Sequence, residues 1–220
     1  MNLHNVEQAR FNMIEQQIRP WDVADSAVLQ LMSLVKREDF VPANYRAMAF
    51  ADMAIPLVGG QSMLAPRLQA RLLQDAAVQA NDKVLEIGAG SGFMTALLAH
   101  QAQRVVSLEI SPELADQARA NLHKAGVHNA EVRRADGAAG APSEAPFDVI
   151  VLGGSVVEVP QALLTQLQIG GRLVAIVGDE PIMHAQVITR TSENNFKVDE
   201  KWDDNAPGLL NFPRPPTFKF

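Results

Sequence analysis

The chain of 220 residues contains no cysteine. Disulfides, thiolate nucleophiles and cysteine-bound zinc are excluded together. An excess of positive charge is also missing: 19 lysines and arginines stand against 25 aspartates and glutamates, for a net charge of −6. A protein that clamps a nucleic-acid backbone needs a basic face, so no nucleic-acid partner is expected. No apolar run approaches membrane-spanning length, and the opening MNLHNVEQARFNMIEQQ carries no apolar segment of signal-peptide type. The expectation is a cytoplasmic protein with no membrane partner. The five histidines (His4, His100, His123, His128, His184) show no close ligand spacing, and no metal is expected. Neither an internal repeat nor a low-complexity linker appears. With 47% hydrophobic and 20% charged residues, the composition is that of a globular protein. The length suits one α/β domain with an appendage.

What is present converges on residues 83–93, KVLEIGAGSGF. Val84 to Ile87 reads as a short buried strand, three alternating glycines follow, and a helical pattern begins near Thr95. Glycines at such a turn let backbone N–H groups approach a ligand, and the helix N-terminus favours negative charge there. A dinucleotide fingerprint, Gly-x-Gly-x-x-Gly, would put its last glycine at Phe93, which argues against a dehydrogenase. Here the pattern is Gly88-Ala89-Gly90-Ser91-Gly92, preceded by Glu86, which is expected to face a ligand as the strand ends. This Glu-x-Gly-x-Gly-x-Gly run resembles motif I of the S-adenosylmethionine (SAM) methyltransferases.

The remaining elements follow in order. Val6, Ala9, Met13, Ile14 and Ile18 recur at helical spacing, and a second helix starts with Asp25 or Ser26 as its N-cap. Residues 37–42 break the period. Residues 50–66 form a stretch bounded by prolines that either covers a site or merely connects, and residues 67–78 read as a helix. A second strand over 104–110 ends in Glu109 and Ile110. Glu109 lies 23 residues after Glu86, near the ~20 expected for a carboxylate that accepts from ribose hydroxyls. A helix capped by Ser111 and Pro112 leads to a third strand at 130–135. Asp136-Gly137 follows, where the carboxylate is expected to accept from an adenine amino group and the glycine to leave room for the ring. A fourth strand spans 147–152 and ends at Gly153-Gly154-Ser155. A helix over 159–167 and a turn at Gly170-Gly171 precede a fifth strand at 172–177. Residues 185–190 and 196–202 pair as a hairpin through 192–195, and the proline-rich ending lies extended along the surface.

Alternating strands and helices with a terminal hairpin describe a doubly wound, mostly parallel, Rossmann-like α/β sheet with an antiparallel edge and N-terminal helices. One domain is expected over 1–220: helices and an acceptor-side loop over 1–80, a cofactor core over 81–180, and hairpin and tail over 181–220. Glu86, Gly88, Glu109, Asp136 and Gly153 all fall at carboxyl ends of strands, where such sheets bind ligands. The fourth strand lacks the Asn/Asp-Pro-Pro-Tyr/Phe of amino-methylating nucleic-acid enzymes, and no Ser-His-Asp order stands out. A carboxylate acceptor, already ionised at pH 7 from its reference pKa of ~4, would need alignment and no general base.

The likeness narrows further. Arg37-Glu38-x-Phe40-Val41-Pro42, Asp52, Ile55-Pro56, Gly60-Gln61, Val84 to Gly92, Asp136-Gly137, Pro146-Phe147-Asp148, Pro160, Gln166-Leu167 and Gly170-Gly171-Arg172-Leu173 resemble the protein-L-isoaspartate O-methyltransferase family in order. The resemblance implies SAM-dependent esterification of the α-carboxyl of isoaspartyl residues in damaged proteins or peptides, with S-adenosylhomocysteine (SAH) as product. The ester then collapses to a succinimide on the way to repair. Glu86, Gly88, Ala89, Gly90, Ser91, Gly92, Glu109, Ile110, Asp136 and Gly137 are expected at the cofactor, and Gln61 and Ser62 on the acceptor side. The family pattern Gly-Gln-Thr-Ile-Ser-x-Pro aligns with residues 60–66, where Leu64 replaces the serine associated with the acceptor carboxylate. That change leaves open a different small-molecule acceptor, or a SAM-binding module whose tail docks a partner. Nothing requires a dimer, and a monomer is expected.

Overall fold

The computed structural model describes residues 3–214. Six helices are named here: α1 (Leu3–Met13), α2 (Ser26–Leu34), α3 (Pro66–Ala76), α4 (Phe93–Gln101), α5 (Pro112–Lys124) and the single turn α6 (Gln161–Leu164). Nine strands accompany them: β1 (Ile55–Pro56), β2 (Ser62–Met63), β3 (Lys83–Ile87), β4 (Arg104–Glu109), β5 (Ala130–Arg134), β6 (Phe147–Val156), β7 (Leu167–Asp179), β8 (Ile182–Arg190) and β9 (Phe196–Asp203). Seven of them make one sheet in the order β5-β4-β3-β6-β7-β8-β9, while β1 and β2 form a separate ribbon. The five strands from β5 to β7 are parallel, and β8 and β9 close the edge in antiparallel pairing. The order reverses between β3 and β6, so their carboxyl ends flank the crevice where doubly wound sheets take ligands.

The period-two alternation of β3 sorts its residues onto two cores. Val84 joins Val105, Val149 and Val151 beneath Leu72, Phe93, Leu97 and Ala118 of α3, α4 and α5, together with Met13, Ile18 and Met32 of the N-terminal segment. Leu85 and Ile87 face the other way, with Val106, Ile150 and Leu173 under Leu163, Leu164 and Leu167. The predicted N-terminal helices therefore bury their stripes on one side of the sheet. Asp25 is the N-cap of α2, its carboxylate accepting from Ala27 N at 2.8 Å.

Helix α3 ties this appendage to the far edge. Arg67 bonds Asp52 at 2.9 Å and Asp204 at 2.7 Å, while its guanidinium sits 4.5 Å over the ring of Trp21. Arg71 stacks 4.2 Å over Trp202, whose Nε1 donates to Asp75 at 2.7 Å. The Arg10–Glu38 ion pair is buried beneath the N-terminal helices.

Three predicted boundaries change. The helix expected over 159–167 is only the turn α6, because Leu167 already pairs with Phe147. Gly170-Gly171 does not separate two elements but lies in a bulge of β7. Between the pairs Phe147–Leu167 and Val149–Arg172, β7 advances five residues while β6 advances two. The fourth strand does not end at Gly153-Gly154-Ser155. It runs on to Val156, since Ser155 N donates to Pro207 O and Leu209 N donates to Ser155 O, each at 2.8 Å. The returning chain supplies the hydrogen bonds that a strand end would have left to solvent. Of the proline-rich ending, residues 215–220 lie outside the described residues.

Candidate cofactor and acceptor site

The glycine turn is anchored to the next strand: Gly88 N and Ala89 N both donate to Leu108 O, at 2.8 and 3.3 Å. Gly92 has φ 86°, and a methyl there would lie 3.2–3.3 Å from Ala118, so this glycine lets α4 and α5 meet closely. Ser91 is buried in the same seam, with its carbonyl accepting from Asn121 Nδ2 at 2.9 Å. Gly92 thus shapes the turn from behind, while Gly88, Ala89, Gly90 and Ser91 line the crevice.

Glu109 stands at the end of β4 with its carboxylate oriented by backbone amides. Gly90 N donates to Oε2 and Ser111 N to Oε1, both at 2.9 Å. Two charge-assisted bonds fix the group and leave further lone pairs for a ligand. Glu109 and Ile110 line one cleft with Gln61, Gly88 and Gly137. Ser62 lines a second one, at the glycine turn, with Leu64 and Gln69. Gln61 and Ser62 are adjacent in sequence but face different clefts.

One predicted position is corrected. Glu86 does not face a ligand. It is 0% exposed, and its Oε2 accepts from Thr95 Oγ1 at 2.5 Å and Ser107 Oγ at 2.6 Å. Period two puts it on the same face as Val84, under α4. Burial raises its carboxyl to about 7 against the opposing pull of those two hydroxyls, and Oε1 has no partner among the described residues. Gly137 lines the Glu109 cleft, and because a methyl on it would stand 2.2 Å from Ile87 Cγ2, the glycine also lets Ile87 pack against this turn. Asp136 is at the crevice mouth, accepting from Ala138 N at 3.0 Å and from Asn211 Nδ2 at 2.8 Å.

The segment around Asn211 is a part of the site that sequence reasoning missed. Leu209, Leu210 and Phe212 close the Glu109 cleft down to about 30 Å³. A methyl on Gly88 would meet Leu209 Cδ2 at 2.9 Å. Gln69 was missed as well, and Arg37, quoted only within the family pattern, was given no role. Arg37 is fully buried and donates to Leu64 O at 2.8 Å and to Gln69 Oε1. No local pattern reveals such a pair, whose members are 32 residues apart. Among the described residues, no group of three or more histidine, aspartate or glutamate side chains is arranged to hold a metal ion.

A parallel sheet reversing at β3/β6, a glycine turn and an oriented carboxylate at the next strand end define a Rossmann-like methyltransferase. The comparisons narrow the class. A family model described as protein-L-isoaspartate(D-aspartate) O-methyltransferase matches residues 8–203. A protein-L-isoaspartate O-methyltransferase of Methanoculleus marisnigri is 45% identical over 169 residues, covering 77% of this chain and 77% of its own. One from Rhodopseudomonas palustris is 40% identical over 199 residues, covering 90% of this chain and 91% of its own. A Plasmodium falciparum chain described as a protein-L-isoaspartate O-methyltransferase, crystallised with SAH, shares the fold with a TM-score of 0.76. It covers 92% of this chain and 97% of its own at 19% identity. The chain belongs to the protein-L-isoaspartate O-methyltransferase family.

Proposed function

We propose that the chain, working as one domain, is a SAM-dependent methyltransferase that esterifies the α-carboxyl of isoaspartyl residues in damaged proteins. The observation that carries this reading is the pairing of two neighbouring clefts across the glycine turn, one built around an oriented carboxylate and one around polar donors.

The donor set fits SAM. Glu109, held by Gly90 N and Ser111 N, is suited to accept from vicinal ribose hydroxyls, and Asp136 from an exocyclic amine. Gly88 lines both clefts, which puts the cofactor's methionine end at the glycine turn between them, next to the acceptor. When bound, SAM supplies an electrophilic methyl on sulfonium and leaves as SAH. The chain's own part is to align the acceptor and exclude water, because a carboxylate is ionised at neutral pH without a base. Gln61 then belongs with the cofactor cleft, and Ser62 offers a hydroxyl on the acceptor side. Glu86 acts as a buried brace between β3, β4 and α4 rather than as a ligand.

A cleft of about 30 Å³ does not hold a nucleoside, so residues 206–212 lift as the cofactor enters. The net charge of −6 supports a protein substrate without nucleic acid. The test is transfer of labelled methyl from SAM to an isoaspartyl peptide, read as an ester that mild base hydrolyses. An enzyme that binds SAH but labels no such peptide would overturn the assignment.

A further inference from the structure

Arg37 is the largest side chain with no exposed surface, and its hydrogen-bond partners are all neutral. Nε donates to Ala49 O at 2.9 Å, Nη2 to Leu64 O at 2.8 Å and Nη1 to Gln69 Oε1. The face of Phe93 lies 5.3 Å from the guanidinium carbon. Burial pulls the group down to about 9, opposed by the field of Asp52, so it stays protonated at neutral pH. A buried cation with no carboxylate in contact is costly, and burial of this kind is a mark of functional sites.

Gln69 stands between this cation and the acceptor-side cleft. It lies on α3, is 5% exposed, and lines the cleft of about 20 Å³ with Ser62, Leu64, Ala89 and Gly153. A guanidinium only donates, so the Gln69 atom facing it must be the carbonyl oxygen. That fixes the amide: Nε2 turns its two N–H groups away from Arg37. Among the described residues Nε2 has no hydrogen-bond partner, and Gln69 lines the cleft. Leu64 brings no side-chain donor to this cleft, whose side-chain donors come from the hydroxyls of Ser62 and Ser91 and the Gln69 amide.

We propose that Gln69, oriented by Arg37, donates to the carboxylate of the methyl acceptor and sets the site's specificity for it. This rests on the assignment of methyl transfer to an isoaspartyl carboxylate. An amide donor holds one carboxylate oxygen and leaves the other with a free lone pair to attack the methyl. A guanidinium in direct contact would engage both oxygens in a fork. Behind the amide, Arg37 supplies positive charge without competing for the nucleophile, and is a positioning residue.

The test uses the full chain with Gln69→Met, which keeps length and removes the donor, and Gln69→Glu, which keeps an acceptor for Arg37 but removes the donor. Peptide KM and kcat, SAH affinity and Tm are measured for each. Gln69→Met is expected to raise the isoaspartyl-peptide KM by at least ~10-fold with the SAH Kd changed less than about twofold. Gln69→Glu is expected to match or exceed the wild-type Tm, through its ion pair with Arg37, and still lose at least ~10-fold in kcat/KM. Wild-type activity in Gln69→Glu would show a merely structural role and overturn the proposal. So would a weakened SAH Kd with unchanged peptide KM, which would assign the amide to the cofactor's own carboxylate. A wild-type protein silent on the isoaspartyl peptide would overturn the assigned activity and this inference with it, and that control separates the two failures.

Discussion

Substitution of Gly153 by alanine tests the site's geometry with little else changed. Gly153 needs no positive φ, so an alanine there meets only a steric problem. Its methyl would stand 2.5 Å from Gly88 O and 3.2 Å from Ile87 O, both backbone atoms that no rotamer change can move aside. Ordinary contact begins near 3.4 Å, so the two backbone segments must part by about 0.9 Å. The pairing of β3 with β6 is intact up to Ile87–Leu152, which drives the displacement into the Gly88 turn. Overpacking of this kind costs about 1–3 kcal/mol. A misplacement near 1 Å can cost a site on the order of 10²-fold in function. We expect Gly153→Ala to lower the urea midpoint accordingly and to weaken SAH binding at least ~10-fold by calorimetry. Gly170→Ala is the control: it has φ 87° and no atom within 4 Å, so it pays backbone strain of roughly 1–2 kcal/mol and keeps the wild-type SAH Kd. Equal SAH binding by Gly153→Ala and the wild type would refute the placement of the cofactor against this turn.

Two further outcomes follow from the same groups. The Glu86 carboxyl is raised from 4.5 to about 7 in the folded protein. Between those values the folded chain keeps a proton that the unfolded chain has released, so its stabilising contribution is full below pH 4.5 and is lost as pH rises through 7. At ~1.36 kcal/mol per unit the swing is on the order of 3 kcal/mol. Urea midpoints at pH 5 and pH 8 should therefore differ less in Glu86→Gln than in the wild type, and identical differences would show that Glu86 does not titrate in this window. Asn211→Ala removes the 2.8 Å bond to Asp136 that fastens residues 206–212 over the cofactor cleft. Stopped-flow SAH association should then quicken several-fold, whereas an unchanged rate would mean that this segment does not gate entry.

Much of the sheet was readable from local pattern. The β3–glycine–α4 unit, Glu109 at the end of β4 and the hairpin through 192–195 each announce themselves within a dozen residues. What escaped was decided by distant parts of the chain. Gly153-Gly154-Ser155 looks like a strand end until residues 207–209 return to pair with it. Gly170-Gly171 looks like a turn because a bulge and a turn draw on the same residue. The orientation of Glu86 did have a signal: period two aligns it with Val84, and Ser107 shares that parity with Val105 on the paired strand. The partnership of Arg37 with Gln69 had none: Arg37 stands in the family pattern, but nothing local pairs it with a residue 32 positions away until α3 is packed against the N-terminal segment.

The central claim is that this site methylates the isoaspartyl carboxyl in particular. The most direct measurement is kcat/KM for labelled methyl transfer to two peptides identical except for an isoaspartyl or aspartyl linkage, with SAH binding confirmed on the same protein. Labelling confined to the isoaspartyl peptide is the predicted result. Equal labelling of both, or of neither while SAH binds, would contradict it.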